Sequence, residues 1–163
     1  DNKLVECLYK IKARNQEIYQ FPTFGDALGS DYKLFERSEI SIDSFKKQLI
    51  EITKNSLKSD IFISDSFFTI FRSGGGLVSH DHLNKIDRIK GLDIAKKKFS
   101  LVYYLSVGDQ TCNEPGILKL ENPNQEILPS NGLIIIFPAE RKHSVFYKGK
   151  KDRIIIGVNF YKI

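Results

Sequence analysis

The sequence lacks any apolar run approaching the roughly 20 residues that a membrane-spanning helix requires. Its N-terminal stretch is charged and helix-like, unlike a secretory signal peptide. The two cysteines, Cys7 and Cys112, are far apart and outside any CxxC pair. They do not make a disulfide framework, so we expect a cytoplasmic protein with inert thiols. The chain begins with Asp1 rather than Met, as a processed chain or a piece of a longer protein would.

Several common functional motifs are also missing. The triple glycine at 74–76 is not followed by Lys-Ser/Thr, so it is not a phosphate-binding loop. There is no GxSxG and no zinc-ribbon cysteine spacing. The net charge is +5, with lysine clusters at 96–98 and 148–151. Because these basic residues are not interleaved with stacking aromatics, a solvated surface is favoured over a nucleic-acid interface. A basic pocket would also suit an anionic co-substrate.

The 163 residues, 41% of them hydrophobic, fit one domain with its own core. The first sixty residues have helical character. Apolar residues recur at helical spacing over Leu4–Ile11, and a break follows from Phe21-Pro22 to Ser30. A second helix is predicted from about Asp43 to Lys58.

After residue 60 the pattern changes to short β-rich runs separated by turn signals. The stretch Ile61–Arg72 is rich in β-branched and aromatic residues. After it, strands are predicted near Leu77–His82, Phe99–Val107, Gly116–Glu121, Gln125–Leu128, Leu133–Phe137, His143–Tyr147 and Arg153–Phe160. Many short strands at this spacing predict a β-sandwich or barrel, with the N-terminal helices on one outer face. We therefore expect one domain over 1–163, with helical support over 1–60 and a β core over 61–163.

The placement of the three histidines is the most informative feature. His80 and His82 are two residues apart, so on a strand both side chains would point to one face and Asp81 away from it. His143 begins a later strand. Three imidazoles suit Fe(II), Zn(II), Ni(II) or Cu(II). The pattern favours a metal site over three unrelated surface histidines.

Arg153 lies ten residues after His143, beyond a turn around Gly149. If the two flanking strands pair as a hairpin, Arg153 would face the histidine cavity from the neighbouring strand. Its fork-shaped guanidinium would suit a carboxylate ligand. Ser100 and Tyr104 share one face of their strand, and the tyrosine hydroxyl would add a further donor.

These residues form an ordered set that resembles the 2-oxoglutarate- and Fe(II)-dependent oxygenase superfamily, with a layout similar to its prolyl-hydroxylase-like members. That superfamily places a H-x-D pair, a distant His and then an Arg or Lys about ten residues later. The resemblance covers roughly half of the chain. The matching elements, in order, are Ser79–His82, Ser100–Leu105, Gly116–Leu120, Gly132–Pro138, Lys142–Val145 and Arg153.

The resemblance implies a fold, a ligand set and a co-substrate. It implies a mainly β, double-stranded β-helix, a jelly-roll or cupin-like barrel. His80 and His143 match the two iron histidines, Arg153 matches the residue that binds the far carboxylate of 2-oxoglutarate, and Tyr104 matches a tyrosine that assists it. We group Ser100 with these cofactor-binding residues.

Two positions depart from the superfamily pattern. His82 stands where an Asp or Glu is usual, although a subset of the superfamily has H-x-H. A neutral imidazole there removes one negative charge from the site. Asp81 is the alternative ligand if the strand has already ended. Phe71 stands where prolyl-hydroxylase-like members tend to have a tyrosine.

The resulting hypothesis is an Fe(II)- and 2-oxoglutarate-dependent hydroxylase that uses molecular oxygen on a small molecule or peptide. The long polar segment Leu83–Lys96 is a candidate lid over the substrate. One alternative is a three-histidine, cupin-type dioxygenase that does not use 2-oxoglutarate. Another is a non-catalytic binding module on the same barrel. The identity of the substrate and the oligomeric state are left open by the sequence.

Overall fold

The computed structural model of the protein describes residues 2–11, 14–15 and 23–163. The predicted break at Phe21-Pro22 lies outside these described residues. Within the described ranges, no helix is long and apolar enough to cross a lipid bilayer.

The N-terminal part contains helix α1 (Asn2–Lys10) and helix α2 (Ile40–Leu57). Helix α2 confirms the predicted second helix, but it begins at Ile40 rather than Asp43. It ends where Lys58 adopts the left-handed conformation with φ 49°. The prediction that the first sixty residues are helical is only partly right. Short strands are also present: β1 (Arg14–Asn15), β2 (Thr23–Phe24) and β3 (Ala27–Gly29).

The remaining strands follow the predicted order closely. They are β4 (Ile61–Phe71), β5 (Gly75–His80), β6 (Lys98–Ser106), β7 (Leu118–Leu120), β8 (Gln125–Ile127), β9 (Ile134–Pro138), β10 (His143–Tyr147) and β11 (Arg153–Lys162). Within the described residues they form two antiparallel sheets. The first has the order β1-β3-β4-β11-β6-β9 and the second β2-β5-β10-β7-β8. Two such facing sheets confirm the predicted jelly-roll, double-stranded β-helix fold.

Strand β11 shows how the sequence places one face of the first sheet against the helices and the other against the site. Ile154, Ile156 and Val158 belong to the apolar cluster that also contains buried residues of α1 and α2. Arg153 and Ile155, on the opposite face, line the cavity between the sheets. The strict alternation of side chains along a strand produces this division.

The predicted hairpin between the last two strands is wrong. Strand β10 pairs with β5 and β7, whereas β11 pairs with β4 and β6, so the two strands lie in different sheets. The segment around Gly149 therefore crosses from one sheet to the other. Consequently, Arg153 faces His143 across the cavity rather than from a neighbouring strand.

Candidate metal centre and anion pocket

Two of the three histidines are fixed by strand pairing. His80 ends β5, His143 begins β10, and the two are direct partners in the antiparallel register. Their ring centroids are 4.3 Å apart. His143 is the more enclosed of the two, with 3% of its surface exposed. The pairing of β5 with β10 thus places one imidazole from each strand at the same end of the second sheet.

His82 reaches the same place by a different route from the one predicted. Strand β5 ends at His80, not at His82, so alternation along a strand does not orient the third imidazole. Instead, the backbone N–H of His82 donates to the carbonyl of Ala139 at 2.8 Å. Its Nε2 then lies 3.3 Å from Nε2 of His143. The histidines form one cluster in which all three ligand atoms lie within 4.8 Å of one another.

Asp81 does not belong to this cluster, although its side chain lines the cavity. Its Oδ1 atom lies 2.5 Å from a terminal nitrogen of Arg88 and accepts a hydrogen bond from the backbone N–H of Leu83. The carboxylate is therefore held by the following loop. The alternative of Asp81 as third ligand is disfavoured, because Oδ1 is engaged by Arg88 and Leu83 and the carboxylate is not part of the converging group of ligand atoms.

The outer ring nitrogens of the histidines also have partners. Nδ1 of His80 lies 2.8 Å from the carbonyl of Val78, and Nδ1 of His143 lies 3.4 Å from the carbonyl of Arg141. A carbonyl accepts only, so these contacts favour protons on Nδ1 and leave Nε2 with a free lone pair. This tautomer is the one in which Nε2 can bind a metal ion.

The histidines are held neutral at physiological pH. Burial lowers the pKa of His143 to about 3, with a further contribution from His80. Burial likewise lowers the pKa of His82 well below its ordinary value, assisted by repulsion from the other two imidazoles. The pKa of His80 is lowered for the same primary reason. Neutral imidazoles are the form that coordinates metals.

Arg153 is buried, with 1% of its surface exposed. One terminal nitrogen donates to the carbonyl of Gly116 at 2.6 Å and the other to the carbonyl of Pro115 at 3.3 Å. Its Nε atom is buried without a hydrogen-bond partner among the described residues, and no salt bridge to Arg153 occurs among them. Burial lowers the pKa of the guanidinium, as expected for a cation without an anion beside it.

Two aromatic rings enclose the guanidinium. Its Cζ lies 5.1 Å from the ring centroid of Tyr104 and 5.9 Å from that of Tyr147. Burial raises the pKa of Tyr104 to about 12, so its hydroxyl keeps its proton and remains a donor. Arg153 and Tyr104 are brought together as predicted, and both line the cavity.

Ser100 is not brought to the cavity. Its hydroxyl donates to Oδ1 of Asn159 at 2.7 Å, directly across the pairing of β6 with β11. Ser100 and Tyr104 share a face of β6, but they lie four positions apart along it. The predicted role of Ser100 in cofactor binding therefore has no geometric support.

The cavity that contains both the histidines and Arg153 has a volume of about 260 Å³. Most of its remaining wall is apolar or carries a hydroxyl group. The apolar lining consists of Phe67, Phe71, Leu77, Val102, Leu118, Val145 and Ile155. A site of this size and composition accommodates a small organic molecule and excludes much of the surrounding water.

The predicted lid segment is tethered to the barrel through Asp87. The carboxylate of Asp87 lies 2.7 Å from Nζ of Lys98, and both side chains are almost fully buried. The hydroxyl of Tyr161 donates to the other carboxylate oxygen at 2.6 Å. A buried ion pair therefore connects the middle of this segment to β6 and β11. Its role as a lid stays a prediction.

The sequence reasoning missed Asn159 and Asp65. Asn159 is buried on β11, and its Nδ2 lies 2.5 Å from Oδ1 of Asp65 and 3.3 Å from Nδ1 of His82. Counting in twos from Arg153 along β11 leads to Asn159, so strand alternation could have placed it on the cavity-facing side. Its contact with His82 depends on the course of the loop after β5, which no periodicity reveals.

No protein-family model matches this chain, and no curated protein matches it. Solved structures do. An oxidoreductase of the 2OG-Fe(II) oxygenase family from Burkholderia pseudomallei superposes with a TM-score of 0.67 at 10% identity, covering 98% of this chain and 77% of the other. A Pseudomonas putida prolyl-4-hydroxylase gives 0.61 at 17% identity, covering 99% and 84%. This protein has the fold of the 2OG-Fe(II) oxygenases.

A third similar structure is a prolyl hydroxylase from Trichoplax adhaerens, solved with a peptide fragment of the hypoxia inducible factor oxygen degradation domain. It has a TM-score of 0.69 at 12% identity and covers 98% of this chain and 75% of the other. The superpositions establish a shared fold. Because the sequence identities are low, the chemistry has to be argued from the residues of the site.

Proposed function

We propose that this protein is a 2-oxoglutarate- and Fe(II)-dependent oxygenase that hydroxylates a small molecule or a peptide. The observation that carries the proposal is the buried guanidinium of Arg153, which lies in the same cavity as three clustered histidines and has an unpartnered Nε. A buried cation without an anion is costly, so such a residue is retained where a ligand supplies the anion. A dicarboxylate that also chelates a metal fits both ends of this cavity.

The histidine cluster fits a resident iron. Its three ligand atoms converge, its imidazoles are neutral at pH 7, and carbonyl groups at His80 and His143 favour the tautomer with a free Nε2. Imidazole is a good ligand for Fe(II). When bound, iron and 2-oxoglutarate would supply an oxidation of a C–H bond coupled to loss of carbon dioxide.

The residues of this chain would do the binding and the positioning. Arg153 would pair with the far carboxylate of 2-oxoglutarate through its free Nε and a terminal nitrogen, and Tyr104 would donate its hydroxyl proton to the same group. Gly116 supports this geometry, because its carbonyl accepts from Arg153 and its missing side chain leaves room for the guanidinium. The apolar wall of the cavity would keep water from the reacting atoms.

The composition of the remaining cavity wall favours a substrate whose bound group is uncharged. Apart from the histidines, Arg153 and Asp81, no charged side chain lines the cavity among the described residues, and Asp81 is engaged by Arg88. The Trichoplax adhaerens neighbour was solved with a peptide. A peptide side chain or a small metabolite of low polarity is therefore the substrate class that we propose.

A three-histidine dioxygenase that does not use 2-oxoglutarate is the second candidate. The cluster of His80, His82 and His143 without a carboxylate favours it. The unpartnered Nε of the guanidinium favours the first candidate, since 2-oxoglutarate has a far carboxylate that could pair with it.

Succinate formation tests the proposal. Fe(II)-loaded protein with 2-oxoglutarate and oxygen is expected to form succinate, and Arg153→Ala to form almost none. Equal succinate from the two proteins would contradict the role of Arg153. An absence of succinate from the wild type, tested with a panel of peptides and small molecules, would leave a three-histidine dioxygenase or a binding module instead.

A further inference from the structure

Of the three histidines in the cluster, His82 has an outer nitrogen that faces a side chain rather than a backbone carbonyl. Its Nδ1 lies 3.3 Å from the amide nitrogen of Asn159, whereas His80 and His143 face the carbonyls of Val78 and Arg141. His82 is also the histidine that no strand holds. Its orientation therefore depends on contacts made by the side chain itself.

Asn159 is well placed to set that orientation. It is 4% exposed, and its amide is held on two sides: Ser100 donates to Oδ1 at 2.7 Å, and Nδ2 donates to Asp65 at 2.5 Å. One hydrogen-bond network beside the three-histidine cluster thus connects four side chains, those of Ser100, Asn159, Asp65 and His82. We propose that Asn159 is a positioning residue that orients His82 for metal binding. This inference rests on the proposed metal site.

The protonation of the His82 ring determines whether the Asn159 amide must donate to Nδ1 or accept from it. In the present arrangement, Nε2 of His82 lies 3.3 Å from Nε2 of His143, so one of these nitrogens shares a proton with the other. A metal ion would take the lone pairs of both, and the proton of His82 would then reside on Nδ1. The atom of Asn159 that faces Nδ1 must in that state be an acceptor, namely the amide oxygen.

The neighbours of Asn159 are compatible with such a turned amide. A serine hydroxyl both donates and accepts, so Ser100 can bond the amide oxygen in one orientation and the amide nitrogen in the other. Burial raises the pKa of Asp65, which lessens the cost of placing the amide oxygen beside its carboxyl group. Turning the amide would thus let the same four side chains serve His82 in the metal-bound state.

Binding of Co(II) to the full chain tests the inference without any turnover. Asn159→Leu preserves the approximate size of the side chain and removes its hydrogen bonds. Its Co(II) affinity is expected to fall by about 10–100-fold, the usual cost of losing a partner of a metal-bound histidine. The matched control is Asn131→Leu, which removes an asparagine whose Oδ1 accepts from the backbone of Val107 at a distant loop. Its Co(II) affinity is expected to equal that of the wild type.

Proton NMR of the Co(II)-loaded proteins supplies a readout that a general loss of packing would not produce. The wild type should show three exchangeable, strongly shifted N–H signals, one from each imidazole. Asn159→Leu should lose one of them through rapid exchange with water and keep the two that belong to His80 and His143. Unchanged affinity with all three signals retained would overturn the inference.

A double variant guards against simple misfolding. Asp65→Asn combined with Asn159→Asp exchanges the two side chains. The carboxylate at position 159 would then accept from Nδ1–H of His82, and the amide at position 65 would donate to that carboxylate. Co(II) affinity is expected to return to within a few-fold of the wild-type value, and failure to recover it in a folded protein would overturn the inference. If the wild type itself binds no Co(II), the proposed function falls together with this inference.

Discussion

Arg153 and His143 reach the same cavity from opposite sheets, Arg153 from the start of β11 and His143 from the start of β10. The nine residues between them comprise the rest of β10 and the crossing between the sheets, not a hairpin turn. A ligand held by both residues would therefore bridge the two walls of the barrel. This arrangement places Arg153 and the three-histidine cluster in one cavity.

Removing the guanidinium should remove 2-oxoglutarate binding. Arg153→Met is expected to weaken binding to the metal-loaded protein by about 3–5 kcal/mol, because a buried carboxylate would lose its charged partner. Isothermal titration calorimetry of the Mn(II)-loaded protein measures this change. The control is Arg72→Met, whose guanidinium pairs with Asp26 and Asp152 near the surface. If Arg153→Met and Arg72→Met bound 2-oxoglutarate with similar affinity, Arg153 would not be the residue that holds its carboxylate.

A methyl group at Gly116 should disturb the same pocket. Its Cβ would lie 2.6 Å from Cζ of Arg153, and its φ of +81° already disfavours a side chain. Gly132 also has φ +81°, but a Cβ there would meet nothing within 4 Å. Both Gly→Ala variants should lose about 1–3 kcal/mol of stability from backbone strain. Only Gly116→Ala should also lose 2-oxoglutarate affinity, as calorimetry would reveal.

The strand order and the approximate strand bounds were predictable because alternating apolar residues and turn signals are local features. The three histidines and Arg153 were predictable as a set because their types and order match an oxygenase pattern. Strand pairing was not: the hairpin prediction failed because β10 and β11 pair with strands far away in sequence. The hydrogen bond of Ser100 to Asn159 was not predictable for the same reason, since Asn159 lies on β11. The single domain and the cytoplasmic location stay predictions.

The metal-free protein should lose stability as the pH falls below about 6.5. Burial lowers the pKa of folded His143 to about 3, well below its ordinary value of 6.5. Between these two pH values the histidine is protonated in the unfolded chain and neutral in the folded one, so lowering the pH favours unfolding. At pH 5 this histidine alone should lower the free energy of unfolding by about 2 kcal/mol relative to pH 7.5. Urea unfolding at the two pH values measures the effect. His143→Gln should show a correspondingly smaller pH dependence, and an equal dependence would refute this assignment.

The buried tether of the 83–96 segment should matter for stability. Asp87→Ala leaves Lys98 charged and unpaired in the interior, which is expected to cost about 3–5 kcal/mol. Asp93→Asn removes the charged partner of Lys96 from the same segment and suits the left-handed backbone there, and because that pair is exposed its loss should change stability little. Urea unfolding distinguishes the two. Equal, small effects would show that the segment is not held through Asp87.

The most direct test of the central claim is an anaerobic titration of the Fe(II)-loaded protein with 2-oxoglutarate, followed by visible absorption. Chelation of iron in this site by the keto acid is expected to produce a metal-to-ligand charge-transfer band. That band should saturate with 2-oxoglutarate in the wild type and require far higher concentrations in Arg153→Ala. A wild-type protein that binds Fe(II) yet shows no band at any 2-oxoglutarate concentration would contradict the account.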